Sequence, residues 1–148
     1  DAGAFLDFVY TNTFSPLKEG RVRYGLMLRE DGHVMDDGTT ARLGPDHYVT
    51  TTTTAAAGPV MAHLEFVAQG LRPDLNVRLT SVTEQWAQFA IAGPKSRDLL
   101  NTLGDAPVTD DDFSFMSCGV ATVAGGAARL FRSSFAGERG YEIAVPAR

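Results

Sequence analysis

The chain has 148 residues, enough for one domain with a sizeable core, and its 44% hydrophobic content is ordinary for a globular protein. Thirteen basic against eighteen acidic residues give a formal charge of -5; without a basic run, that balance excludes a phosphate-tracking nucleic-acid surface. The single cysteine excludes an internal disulfide and points to a reducing, cytoplasmic compartment, while no signal peptide is visible and no apolar run approaches the roughly 20 residues of a membrane span.

Phe5, Leu6 and Val9 recur at near-helical spacing and predict a short helix over residues 2–10, before Thr11-Asn12. Val22, Tyr24, Leu26 and Leu28 then alternate with Arg21, Arg23, Gly25, Met27 and Arg29, the period of a half-buried strand. Asp31-Gly32 is a strong hairpin signal, and Val34-Met35 resumes the extended pattern. With Asp31 and Gly32 as the two turn residues, Glu30 faces His33, Leu28 faces Met35, Leu26 faces Asp37 and Tyr24 faces Thr39. Asp36 then falls with Met27 on the opposite face. Asp37 and Tyr24 become the polar groups of an otherwise apolar surface, where a carboxylate must be paired, hydrated or kept for a ligand. A three-residue turn or a bulge would exchange the roles of Asp36 and Asp37.

A Gly-Pro turn lies between Leu43 and Asp46, and His47 to Thr54 is a β-branched, extended run. Pro59 opens a helix whose apolar face is Met61, Leu64, Val67, Ala68 and Leu71, ended by Gly70 and Pro73. Asn76 to Ser81 and Glu84 to Ala92 read as strands. Pro94 opens another helix, with Leu99, Leu100 and Leu103 inward and Gly104 at its end. After an acidic loop from Asp105 to Asp112 come three strands, Phe115 to Val123, Ala128 to Phe135 and Tyr141 to Val145. Cys118 lies in the first of these and reads as a small buried hydrophobe rather than a nucleophile. His33, His47 and His63 are scattered over turn, strand and helix, so no metal site is expected. The fold class is α+β, with a mixed, largely antiparallel sheet and two or three helices.

A second polar constellation runs from Ser133 to Glu142, a loop with two glycines joining two strands. Tyr141, Ile143 and Val145 share one face of the outgoing strand, leaving Glu142 on the other. A glutamate fixed on a strand can accept two parallel hydrogen bonds from a ring N–H and its neighbouring amino group, the donor pair of guanine-like and pterin rings. Alternatively, Glu138 and Glu142 are surface charges near Arg132 and Arg139.

In this order the two constellations resemble the folate-binding aminomethyltransferase family, which includes the T-protein of the glycine cleavage system and the C-terminal part of the alpha subunit of heterotetrameric sarcosine oxidase. The elements that carry the resemblance are Gly20 to Tyr24, Gly32, Asp36-Asp37, Phe89 to Pro94 and Gly137 to Glu142, preceded by Val9-Tyr10-Thr11-Asn12. The wording YGLMLREDG, VTTTT and LTSVTEQWA is more similar to the sarcosine oxidase branch than to true T-proteins. T-proteins commonly carry Asn-Glu before the turn, where this chain has Arg29-Glu30.

The resemblance implies a tetrahydrofolate site. Asp37 matches the carboxylate beside the reactive folate nitrogens and takes the catalytic role; Tyr24 lines the same pocket, and Glu142 clamps the pterin. Phe135 stands where T-proteins have a second pocket tyrosine, keeping the ring but not the phenol hydrogen bond. The implied reaction moves the one-carbon unit of the sarcosine-derived imine onto tetrahydrofolate, giving 5,10-methylenetetrahydrofolate. Flavin and NAD belong to the full complex and not to this region, and the implied partners are the other subunits of the heterotetramer, with no nucleic acid or membrane. Residues 1–148 are then expected to be a fragment of the domain, lacking its N-terminal start and its C-terminal barrel, and inactive alone. Two rival readings are a folate-binding domain without transfer chemistry, and a structural scaffold whose polar residues cap a sheet.

Overall fold

The structure, a computed structural model, describes residues 1–147. The chain divides into two compact units, Asp1–Ser81 and a second beginning at Val82. Its class is α+β as expected, but the strands form two separate sheets, one in each unit, and every pairing is antiparallel.

In the first unit, helix α1 (Ala2–Val9) buries Phe5, Leu6 and Val9. Strands β1 (Val22–Leu28), β2 (Val34–Gly44) and β3 (His47–Thr50) follow in that order across the sheet. The core is built on Phe5, Tyr10, Phe14, Met27, Val60 and Val67; a large apolar side chain buried in this way contributes about 1.5–3 kcal/mol. Helix α2 (Ala57–Phe66) begins two residues before Pro59, so the ring sits in the first turn, where no hydrogen-bond donor is missed. The expected face holds at Leu64, Val67 and Ala68, which pack in the core, and is joined there by Val60, buried at 2%. Over Val67–Leu71 the helix loosens to i→i+5 bonding, Arg72 N–H donating to Val67 O at 2.7 Å. The wider turn swings Leu71 into solvent. Asn76 to Ser81 is not a strand. Leu75, Val77 and Leu79 do alternate inward against the core, but no neighbouring strand completes a ladder.

The second unit has sheet order β4-β7-β6-β5, with β4 (Trp86–Ala92), β5 (Ser117–Val123), β6 (Gly126–Arg132) and β7 (Gly140–Pro146). One sheet face carries Leu130, Tyr141 and Ile143 and packs under helix α3 (Ser96–Leu103) and the 105–113 segment. Of the three leucines expected to face inward from α3, only Leu100 does; Leu99 and Leu103 are exposed. This two-turn helix touches its unit through the Ser96–Leu100 stripe, an i,i+4 pair too narrow to cover its neighbours. Cys118 is buried in β5, as expected of a small hydrophobe.

Candidate functional site

The β1–β2 hairpin sets the first half of the site. Arg29 N–H donates to His33 O and Gly32 N–H to Arg29 O, both at 2.9 Å, so the loop has three residues and not two. Gly32 takes φ +82, the left-handed position that closes this loop and that a side chain adopts only at a cost. Left alone, the extra residue would slip the register by one. A bulge cancels it: Leu28 pairs with Val34 rather than Met35, the pairing shifts between Met27 and Leu28, and Met27 faces Asp36 while Leu26 faces Asp37. The expected register at the carboxylates therefore stands, through two compensating irregularities.

Tyr24 and Asp37 share one face, and the Tyr24 hydroxyl donates to Asp37 Oδ2 at 2.5 Å. That hydrogen bond, and then the adjacent carboxylate charge, hold the Tyr24 phenol above its usual pKa. The face itself differs from expectation. It is the open one, with Tyr24 45% exposed, while Gly25 and Met27 point into the core. Asp36, on the core side, is buried at 7% and accepts the Thr53 N–H on both oxygens at 3.3 Å. Burial, and secondarily the Asp36 charge, push the Tyr10 phenol up to about 12. Two adjacent aspartates are thus separated by one step of strand pleat into a buried structural carboxylate and an accessible one.

In the second unit Glu142 lies on β7 between Ala90 of β4 and Phe131 of β6. Its Oε2 accepts from Gln88 Nε2 at 2.5 Å and its Oε1 from the Ser133 hydroxyl at 2.7 Å. Neither donor is charged. Arg132 and Arg139 are engaged elsewhere: together with Arg97 they converge on Asp110, with direct Arg97 and Arg132 hydrogen bonds and Arg139 Nη2 at 3.8 Å. The ion pairs of these arginines among the described residues thus go to Asp110, while Glu142 is bonded to neutral groups. The loop between β6 and β7 is pinned by Ser134 Oγ donating to Glu138 O (2.6 Å) and by Gly93 N–H and Ser96 Oγ, each donating to Arg139 O at 2.9 Å. Phe135 stands fully exposed on it.

The arginine cluster carries a pH prediction. Hydrogen bonds from Arg97, and then Arg132, pull the Asp110 carboxyl from the ordinary 3.8 to about 2. A depressed folded-state value stabilises above the unfolded value and is lost as pH falls through the folded one. Asp110→Asn should therefore lower the unfolding temperature above pH 4, and the gap to wild type should close between pH 4 and 2. Thermal melts of both proteins over that range check it; a gap unchanged at pH 2 would contradict it.

Over residues 1–148 the sequence matches the GCVT N-terminal domain family. The chain belongs to this family. It is 54% identical over 149 residues to the sarcosine oxidase subunit alpha of Rhizobium meliloti (strain 1021), covering 99% of this chain and 15% of that protein. It is 47% identical over 148 residues to the sarcosine oxidase subunit alpha of Corynebacterium sp. (strain P-1), with the same coverage. The aminomethyltransferase of Thermus thermophilus is 35% identical over 147 residues, covering 97% of this chain and 39% of that protein. Among solved structures, the glycine cleavage system aminomethyltransferase T from Bartonella henselae matches with a TM-score of 0.80 at 25% identity, covering 98% of this chain and 37% of that one. The GCVT-type chain thus spans well under half the length of these relatives.

Within the GCVT domain, Tyr24 and Asp37 lie in the first unit and Glu142 and Phe135 in the second. Of these four, Tyr24 and Asp37 are brought into direct contact. Sequence reasoning overlooked Gln88, and it placed Ser133 at the start of the second constellation without giving it a partner. Gln88 shares Glu142's face only because β4 pairs with β7, a long-range fact that strand alternation does not carry. It also left open what Asn12 does: Leu26 N–H donates to Asn12 Oδ1 at 3.2 Å, and Thr11 N–H donates to Leu26 O at 2.9 Å. The Thr-Asn pair thereby anchors β1 at the residue that faces Asp37.

Proposed function

We propose that this chain is the folate-binding part of a sarcosine oxidase alpha subunit, from that subunit's C-terminal region. In this reading it is a piece of a larger folate domain whose opening segment and closing barrel lie outside residues 1–148. The reaction is transfer of the one-carbon unit of the sarcosine-derived imine to tetrahydrofolate, forming 5,10-methylenetetrahydrofolate and releasing glycine as the carbon–nitrogen bond of the imine breaks. Flavin and NAD are bound elsewhere in a cytoplasmic complex with the other subunits. The observation that carries the reading is the Tyr24–Asp37 pair on the open face of the hairpin, with its neighbour Asp36 buried.

Within each unit taken by itself, the donor and acceptor chemistry present suits the group. Tetrahydrofolate, when bound, supplies the nitrogen nucleophile and a pterin edge with two adjacent donors. Glu142, held as an acceptor by two neutral donors, keeps its negative charge for that edge. Asp37 stabilises positive charge that develops at the reacting nitrogens, where a fixed carboxylate is worth most in a water-excluded site. Tyr24 holds Asp37 in one orientation and frees one of its oxygens for this task.

Isothermal titration of the complete enzyme with tetrahydrofolate tests the binding half. Glu142→Gln turns one acceptor into a donor, facing the donor pair of the pterin. The Kd of this variant should rise at least about 10-fold, from loss of a charge-assisted pair. An unchanged Kd would remove Glu142 from the site.

A further inference from the structure

We infer that Gln88 and Ser133 are positioning residues that lock the Glu142 carboxylate and thereby set the selectivity of its site for a ligand edge with two adjacent donors. The inference rests on the folate reading of Glu142 given above and adds two residues to it.

Strand pairing brings the first of them into reach. Glu142 and Gln88 lie on the same face of neighbouring strands, one pair apart: Ala90 faces Glu142 and Gln88 faces Ala144. Ala90 has only a methyl group, so the diagonal Gln88 amide reaches Glu142 Oε2 past it, at 2.5 Å. From the other side, Ser133 directly follows the end of β6, is buried at 8%, and donates to Oε1 at 2.7 Å. Each carboxylate oxygen has two acceptor sites, and these bonds occupy one on each. One acceptor remains on each oxygen, and with both oxygens tethered the carboxylate plane cannot rotate. What is left is a pair of parallel acceptors at fixed spacing.

The donors are also neutral. Arg129 lies on the same face, next to Ala144 in the register, yet its guanidinium sits 4.2 Å from the Trp86 ring centroid. Glutamine and serine orient the carboxylate without neutralising it. The remaining acceptors therefore select a neutral or cationic N–H pair, such as the 2-amino and ring N–H edge of a pterin, and exclude ligands that offer a single donor.

Gln88 is exposed, so Gln88→Met keeps length and fold while removing the donor. The test is a double-mutant cycle in the complete enzyme: wild type, Gln88→Met, Glu142→Gln and the double variant. Each is titrated with tetrahydrofolate and with its analogue carrying a methyl group in place of the 2-amino group. Gln88→Met should raise the tetrahydrofolate Kd roughly 5–10-fold when Glu142 is present and under about 2-fold when it is Gln, the mark of action through Glu142. It should also reduce the preference for tetrahydrofolate over the 2-methyl analogue. Ser133→Ala should act in the same direction from the other oxygen. Equal Kd increases in both Glu142 backgrounds would show Gln88 contacting ligand directly and overturn the inference, as would no change at all. If Glu142→Gln alone leaves the Kd unchanged, the folate reading of Glu142 falls, and this inference with it.

Discussion

On the function proposed above, replacing Asp37 by Asn in the complete enzyme is expected to lower the folate-coupled transfer rate by roughly 10–1,000-fold while sarcosine oxidation continues. Asn keeps the shape and one acceptor oxygen, so the Tyr24 hydroxyl retains a partner and the hairpin keeps its register. The negative charge is what disappears. A charge that matters mainly as positive charge develops lowers the rate more than it weakens binding. The imine carbon should then appear as formaldehyde in place of 5,10-methylenetetrahydrofolate, and product analysis at saturating folate measures the ratio. A second readout needs no turnover: because Asp37 holds the Tyr24 phenol up, the variant should shift one tyrosine titration toward its ordinary value of 10.0 in a spectrophotometric pH series. Normal methylenetetrahydrofolate production by this variant would leave Asp37 without a catalytic role. Production lost together with folate binding would make it a binding residue only.

The largest stability effect is expected at Gly38. A Cβ built there would lie 2.0 Å from the Thr51 carbonyl oxygen and 2.9 Å from its carbon, backbone atoms that cannot turn aside. Thr51 is held tightly: its N–H donates to Thr39 O at 2.8 Å, and its hydroxyl accepts from Thr39 N–H at 3.0 Å. Two residues on, Thr53 N–H is bonded to Asp36. Gly38→Ala must detach this threonine segment or distort β2 beside Asp37, at a cost of roughly 3 kcal/mol or more. Gly32→Ala is the matching control. Its Cβ would meet nothing within 4 Å, but the residue sits at φ +82, so only the conformational cost of about 1–2 kcal/mol applies. Urea unfolding of the two variants separates a spatial requirement from a backbone one, and equal losses would contradict the distinction.

Alternation and turn chemistry carried the local part of the fold. Period-two spacing over Val22 to Leu28 made a strand, Asp31-Gly32 made a hairpin, and counting back from the turn paired Leu26 with Asp37. These follow from backbone geometry within about twenty residues, which is why they can be read from the order of side chains. The same count missed the three-residue loop and the compensating bulge; the pairing at Asp37 came out right because the two shifts cancel.

Which face of that hairpin is the core is a tertiary matter. Val22, Tyr24, Leu26 and Leu28 are more apolar than Arg23, Gly25, Met27 and Arg29, yet of the first four only Val22 is buried, while Gly25 and Met27 both are. The core forms on the Gly25–Met27 side because Gly25 leaves room for aromatic rings: a Cβ there would lie 2.9 Å from both Phe14 and Tyr10. A glycine scores as neutral in any pattern, and its value as a slot exists only once the rings arrive from elsewhere in the chain. The same holds for α3, where three leucines at helical spacing compete for a contact stripe wide enough for Leu100 alone. It holds again for Gln88 and Glu142, which are distant in sequence and meet because β4 pairs with β7. The hairpin strands, their register and the carboxylates worth watching are properties of residue order. Which aspartate is buried, and which partners hold Asp37 and Glu142, was settled by packing. Burial and long-range pairing depend on what comes to rest against an element and not on the element's own pattern.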